Sequence, residues 1–259
     1  MKKLSIIIPV YNEDSTLLEI LSRVIASPLK GMEKEILIID DCSTDKTAML
    51  IDDLKKDWKK FFSGKTAPDE KEKTPREPSF VFLKNDENSG KGFSIRRGLD
   101  TSTGDYILIQ DADLEYNPFE YPRLLEPILD GRADVVYGSR FLGETRRVLY
   151  FWHSIANKLL TTFSNIFTDL NMSDMETCYK VFRADMIKKI RLESNRFGFE
   201  PEVTAKLAKL KARFYEVPIS YSGRTYEQGK KITWKDGFNA IFAILKYNLT
   251  GDYLKKTDV

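Results

Sequence analysis

Apolar residues in the first half of the chain come in short unbroken runs: LSIIIPV (4–10), EILIID (35–40), FVFLK (80–84), YILIQ (106–110) and DVVYG (134–138). Runs of this length, rich in Ile and Val and closed by polar residues, predict strands buried on both faces. Between them the pattern fits helices over 15–27, 45–60, 89–101 and 118–130. Strand and helix in alternation predict an α/β fold with a mostly parallel central sheet flanked by helices. The segment 63–79 stands apart, with four basic residues, four acidic residues, three prolines and almost nothing apolar. It predicts a mobile, solvated insert between a helix and the third strand. Past residue 140 the pattern changes. A long aromatic segment at 146–167 is helix-compatible, and a helix at 199–211, a strand at 213–221, a basic loop at 223–231 and a last helix at 233–249 follow. No internal repeat is visible, and the chain reads as a single domain, 1–259.

Composition narrows the class without changing that outline. At 259 residues, 42% hydrophobic and 31% charged, the chain suits a soluble globular protein with a sizeable core. A net charge of +2 gives no reason to expect nucleic acid as a partner. Two cysteines, Cys42 and Cys178, without a Cys-x-x-Cys, argue against a disulfide framework or a thiolate zinc site and fit a reducing, cytoplasmic compartment. The apolar run after Lys2 and Lys3 is cut short by Pro9, so it reads as a first strand and not as a signal peptide. FNAIFAILKY, near the C-terminus, is too short for a membrane span.

In a sheet of this kind ligands bind beyond the carboxyl ends of the strands. Those ends carry Tyr11, Asn12 and Glu13; Asp40, Asp41 and Ser43; Asn85 to Lys91; Asp111 and Asp113; and Ser139 and Arg140. Asp111 and Asp113 form the only Asp-x-Asp in the chain. Alone, and followed by NPFEY, that pair reads as a helix cap. Beside four other polar strand ends it becomes a pair of hard oxygen donors able to hold Mg²⁺ or Mn²⁺ against a diphosphate.

In sequence order, PVYNE (9–13), DDCSTDKT (40–47), NSGKGFSIRRG (88–98), DADLE (111–115) and GSRF (138–141) resemble the family-2 inverting glycosyltransferases of GT-A fold. ETCYKVFRADM (176–186) and the loop at 223–237 are similar to the branch that transfers sugars to dolichyl and other polyprenyl phosphates. The resemblance implies a Rossmann-like half (1–141) for a UDP- or GDP-sugar and an acceptor half (142–259). It implies that Pro9, Tyr11, Glu13 and Asp41 border the nucleoside and that Lys91 contacts the nucleotide. Asp113 becomes the direct metal ligand, and Asp111 reaches the ribose or the metal through water. Glu115 stands where that branch often has Gln and would complete the metal shell. NSGKG lacks the spacing of a P-loop, but its glycines allow close backbone approach at a helix start.

Arg140 has the forked geometry suited to a donor diphosphate or an acceptor phosphate. Arg146, Arg147, Arg224 and Lys230 are the further bases expected around an acceptor phosphate, Arg224 and Lys230 on a loop whose spacing differs from that of the branch it resembles. A polyprenyl phosphate needs no general base, being ionised near neutral pH. A sugar hydroxyl does need one, and Asp174, with Glu176, Glu200 and Glu202, is the acid available. The aromatic run Tyr150, Phe151, Trp152, Phe163 and Phe167 is either core or an interfacial patch, and the single histidine, His153, lies within it. The leading expectation is metal-dependent transfer to a polyprenyl phosphate at the cytoplasmic face of the membrane, through peripheral contact or a membrane partner. The alternatives are transfer to a sugar hydroxyl in surface polysaccharide and a non-catalytic nucleotide-binding or scaffold protein. A nucleotidyltransferase would open with a Gly-rich basic loop where this chain has PVYNE.

Overall fold

The computed structural model describes residues 1–29, 31–62, 77–148, 150–225, 227, 234–251 and 253–255. The five expected apolar runs form β1 (Lys2–Val10), β2 (Met32–Asp40), β3 (Ser79–Lys84), β4 (Tyr106–Ile109) and β5 (Val135–Ser139). Helices α1 (Leu17–Ala26), α2 (Thr47–Phe62, kinked at Asp57), α3 (Lys91–Thr101) and α4 (Tyr121–Leu129) alternate with them. Each boundary has a local cause. Ser27 turns its hydroxyl back onto the Val24 carbonyl just before Pro28, closing α1. Asn117 accepts the Phe119 amide and starts the turn that leads into α4.

The second half adds α5 (Phe151–Thr168), β6 (Lys180–Arg183), the single turn α6 (Ala184–Ile187), α7 (Phe199–Lys209), β7 (Phe214–Pro218) and α8 (Trp234–Leu249). Among the described residues the seven strands make one sheet in the order β3-β2-β1-β4-β6-β5-β7, in which only β6, between β4 and β5, runs antiparallel. Leu4, Ile6, Ile7 and Ile8 of β1 and Ile36 to Ile39 of β2 are fully buried, as strands covered on both faces must be. The sheet is therefore the mostly parallel α/β sheet expected. Strand order reverses between β1 and β4, so their carboxyl ends open a crevice where ligands bind in such folds.

Two expectations shift. The helix read from 146 begins at Phe151, because Arg146 bridges to Tyr221 and the Arg147 amide donates to the Tyr221 carbonyl at 2.8 Å. The strand read as 213–221 ends at Pro218, and the chain then turns back across the carboxyl edge of the sheet. Most of the insert at 63–79 (63–76) lies outside the described residues, as do Lys230 and Lys231.

Candidate active site

The turns after β1, β2 and β3 lock one another in place. Asn12 and Cys42 take left-handed backbone conformations, with φ of 52° and 61°. The Asn12 amide donates to Ser43 Oγ at 3.1 Å, and its side-chain oxygen accepts the Thr44 amide at 2.8 Å. Asp41, expected at the nucleoside, is buried, with both oxygens engaged. Oδ1 accepts from Asn85 Nδ2 (2.6 Å) and the Ser89 amide (2.9 Å), and Oδ2 from the Gly90 amide (2.7 Å). These bonds shape the 85–90 loop that presents Lys91. Gly90 has a φ of 98°, and a Cβ there would stand 2.5 Å from the Asn195 carbonyl oxygen. A Cβ on Gly92 would run into the Ser194 carbonyl. Only glycine lets this loop dock on residues 194–196. Pro9 and Tyr11 are half-buried on the β1 side of the crevice.

At the end of β4, Asp111 and Asp113 point to different partners. Lys91 Nζ lies 2.9 Å from Asp111 and 3.2 Å from Glu200. Burial penalises the Asp111 carboxylate, but Lys91 outweighs that and holds it below the ordinary range. Asp113 is pushed up to about 8, by burial first and then by the charges of Asp111 and Glu115. Arg224 arrives from the loop after β7 and lies among three carboxylates: Nη2 is 2.8 Å from Asp113, Nε 3.2 Å from Glu115 and Nη1 3.5 Å from Glu13. Glu115 anchors that loop, accepting the Arg224 amide and the Tyr221 hydroxyl, each at 2.8 Å. Arg224, expected at an acceptor phosphate, is thus at the carboxylate cluster of the donor side.

Arg140 and Asp174 form a closed fork. Arg140 Nε and Nη2 each lie 2.7 Å from an Asp174 oxygen, and the Arg140 amide donates to Oδ2 at 3.0 Å. The Asp174 side chain is 0% exposed. Burial alone would lower the Arg140 pKa; Asp174 raises it well above the usual value. Asp174, expected as an acid for an acceptor hydroxyl, is therefore the partner of Arg140, with no side-chain surface open to solvent. Arg140, in turn, has two of its nitrogens committed, while its guanidinium carbon lies 5.2 Å from the Tyr221 ring centre. Arg147 Nη1 donates to the Gly223 carbonyl at 3.2 Å, and Arg146 stacks on Phe141, so both flank the strip that leads to Arg224.

Whether this set could hold a hard cation is a question of donor chemistry. Asp113, Glu115 and Glu13 already surround a positive group, Arg224, and all their donor atoms are carboxylate oxygens, which Mg²⁺ and Mn²⁺ take. Among the described residues no three metal-ligating side chains gather closely enough to hold an ion unaided. The residues fit a cation that a nucleotide's oxygens help to bind.

The chain matches the model of "Glycosyl transferase family 2" over residues 5–191. It belongs to that family. It is 30% identical to the undecaprenyl-phosphate mannosyltransferase of Micrococcus luteus over 236 residues, 86% of this chain and 85% of that one. It is 27% identical over 231 residues to the dolichol-phosphate mannosyltransferase of Pyrococcus furiosus, covering 88% of this chain and 59% of that longer protein. In structure it is similar to glucosyl-3-phosphoglycerate synthase from Mycobacterium tuberculosis, solved with Mn²⁺ and UDP-glucose, at a TM-score of 0.67, 15% identity and coverage of 97% of this chain and 80% of that one. The fold is therefore GT-A, and the protein is a glycosyltransferase close to the polyprenyl-phosphate sugar transferases. Among the described residues no helix is long and apolar enough to cross a membrane.

Glu176 and Glu200, expected only as acids available to an acceptor hydroxyl, instead form with Lys180 a buried charged group behind Lys91. Glu200 is buried and touches Lys91, and one oxygen of Glu200 and one of Glu176 are enclosed without a hydrogen-bond partner. Burial, and then the charge of Glu200, push Glu176 up to about 8. Lys180 donates to the Met175 carbonyl at 3.1 Å, and burial lowers its pKa. The signal for this group was faint: an acid two residues after Asp174 and another in the first turn of a helix, both ordinary places for an acid.

Proposed function

We propose that this glycosyltransferase moves a sugar, with inversion, from a UDP- or GDP-sugar to a polyprenyl phosphate. The observation that carries the reading is Arg224, held among Glu13, Asp113 and Glu115 at the edge where β1 and β4 part. On this reading a cation from the half expected to take the acceptor stands among carboxylates expected at the donor, where a diphosphate would leave and a phosphate would arrive. Asp113 and Glu115 would hold Mg²⁺ or Mn²⁺, with Asp111 nearby; when bound, the ion neutralises charge on the departing nucleoside diphosphate. Pro9, Tyr11 and Glu13 border the nucleoside, and Lys91 fixes Asp111 toward it. Arg224 exchanges its carboxylate partners for phosphate oxygens, a change its forked guanidinium suits. Arg146 and Arg147, with Lys230 beyond the described residues, guide the acceptor phosphate. No residue need remove a proton from that acceptor, and the closed Arg140–Asp174 fork agrees with a base-free attack. The similarity to two polyprenyl-phosphate mannosyltransferases supports the same acceptor class.

One observation favours transfer to a sugar hydroxyl instead. Glu176 keeps one enclosed carboxyl oxygen without a hydrogen-bond partner, and burial with the charge of Glu200 pushes it up to about 8, the direction that suits a general base. The two readings part in one experiment. The enzyme is given Mn²⁺ or Mg²⁺, a panel of UDP- and GDP-sugars, and either short polyprenyl phosphates or simple sugars, with products read by mass and anomeric configuration. The expected product is an inverted sugar phosphate lipid. Asp113→Asn should lower its formation at least ~100-fold, the scale of losing one preorganised charge-stabilising group, and Glu176→Gln should leave it within a few-fold. Products on sugar hydroxyls alone, lost in Glu176→Gln, would overturn the phosphate reading.

A further inference from the structure

Helix α5 is turned inside out. Its buried positions are Thr161 and Ser164. On the same side Asn157 reaches Arg140 and Asp174, Thr161 accepts the Met175 amide, and Asn165 brackets Met172. The opposite face carries Trp152, Leu159 and Ile166, spaced seven residues and so about two turns apart on one line. They are 76%, 66% and 71% exposed. A surface helix ordinarily does the reverse, burying its apolar stripe and hydrating its polar one. Helix α8, which packs against α5 and α7, buries an ordinary apolar face but shares the outward apolar one. It buries Ala240, Ala243, Ile244 and Tyr247, yet also turns Phe242 and Leu249 outward. Large apolar side chains gathered on two adjoining helices mark a surface made to be covered.

Charge indicates what covers it. The 18 residues of α5 contain no Asp or Glu, and Lys158, exposed, is their one formal charge. Arg146 and Arg147, both exposed, lead into the helix, and Tyr150, Phe151 and Trp152 follow directly. Apolar side chains with cations and aromatic rings at their margin match the interfacial layer of a membrane with anionic headgroups. A surface for another protein is ordinarily depleted of Lys at its centre, whereas the exposed Lys158 stands beside Leu159 here. We propose that α5, with the outward stripe of α8, seats this enzyme in the interface of an anionic bilayer. The seat adjoins the site, since Asn157 on α5 holds the Arg140–Asp174 fork and Arg146–Arg147 pair with the strip leading to Arg224. As a route for a lipid acceptor the seat rests on the polyprenyl-phosphate reading; as a membrane surface it rests on the inside-out pattern alone.

The test uses the full chain without donor or acceptor. Vesicles of phosphatidylglycerol with phosphatidylcholine should take the protein up, and vesicles of phosphatidylcholine alone or at high salt should take up less. Trp152→Ser/Leu159→Ser/Ile166→Ser should weaken uptake at least ~10-fold, the loss that about 1.4 kcal/mol of burial represents. With Trp234 of α8 replaced by phenylalanine throughout, brominated-acyl lipid should quench tryptophan emission, and adding Trp152→Phe, a change that keeps an aromatic ring, should remove that quenching. Equal uptake of wild type and triple variant, or quenching unchanged in Trp152→Phe, overturns the proposal. So does absence of vesicle binding together with a solution dimer that the triple variant makes monomeric, which would assign the face to a second copy. Uptake only when an integral membrane protein is added overturns it too. Transfer to a water-soluble short polyprenyl phosphate without vesicle binding would sink the bilayer seat and spare the acceptor reading. Vesicle binding with transfer only to sugar hydroxyls would do the opposite.

Discussion

Arg140 and Asp174 illustrate how one side chain can be committed before any substrate arrives. The carboxylate is closed off from water, and the guanidinium is 15% exposed, so each is the chief solvation of the other. Breaking such a pair costs more than the pair is worth, because a charge is left buried and alone. Arg140→Ala should therefore lower unfolding free energy by about 3–5 kcal/mol, and Arg140→Met/Asp174→Leu should recover most of that loss in urea titrations. A stable Arg140→Ala that fails only in transfer would mean that the guanidinium acts on substrate instead. This separation was not legible in the chain. Asp113 and Glu13 could be picked because strand ends and motif agree on them, and both lie at the carboxylate cluster. Asp41 and Asp174 look no different in sequence, yet their oxygens are closed by partners 17 to 49 residues away. Arg224 meets acids more than 100 residues earlier, a contact that only the return of the loop after β7 creates.

At the scale of elements, the edge of the sheet away from the site has its own fastening. Asp134, just before β5, accepts from Arg183 at the end of β6 and from the amide, Nε and Nη2 of Arg213 ahead of β7, at 2.9 to 3.1 Å. These bonds, those of Arg213 foremost, hold its carboxyl at about 2, below the ordinary 3.8 of an aspartate. A depressed folded pKa means stability that is fully present above the unfolded value and is lost as pH falls through the folded one. Between about pH 4 and pH 2 the wild type should lose on the order of 1–2 kcal/mol from this fastening, a figure reduced because its arginines are solvated. Asp134→Asn should be less stable at neutral pH and show a flatter acid limb in thermal melts from pH 5 to 2. An acid limb unchanged by the substitution would remove Asp134 from the account. The strands it joins differ in how plainly the sequence declares them. The runs of β1 to β5 are apolar and β-branched, whereas β6 has four residues, two of them charged, and is a strand only because β4 and β5 stand on either side to pair with it.

That placement of β6 governs the whole molecule. A division at residue 141 separates the motifs expected at the donor from those expected at the acceptor, but the sheet runs unbroken across it. β4 and β5 both lie before the division and never pair with each other; β6, from beyond it, bonds to both, and β7 extends the sheet past β5. A fragment 1–141 would keep β1, β2, β3 and β4 together but leave the inner edge of β4 open and β5 without a neighbour, and unpaired edges of buried strands aggregate. The fragment should be insoluble or lack a cooperative transition. In the full chain, fluorescence from Trp58, on the donor side, and far-UV circular dichroism should follow one urea curve, with Trp152 and Trp234 replaced by phenylalanine to isolate the signal. A soluble fragment with its own sigmoidal unfolding, or two separated transitions in the full chain, would show that the halves fold independently. The same continuity bears on catalysis. The strip from β7 to Arg224 grows from a strand of the shared sheet, so the cation of the acceptor half stands in fixed register with the carboxylates of the donor half, without a hinge between domains to set the distance.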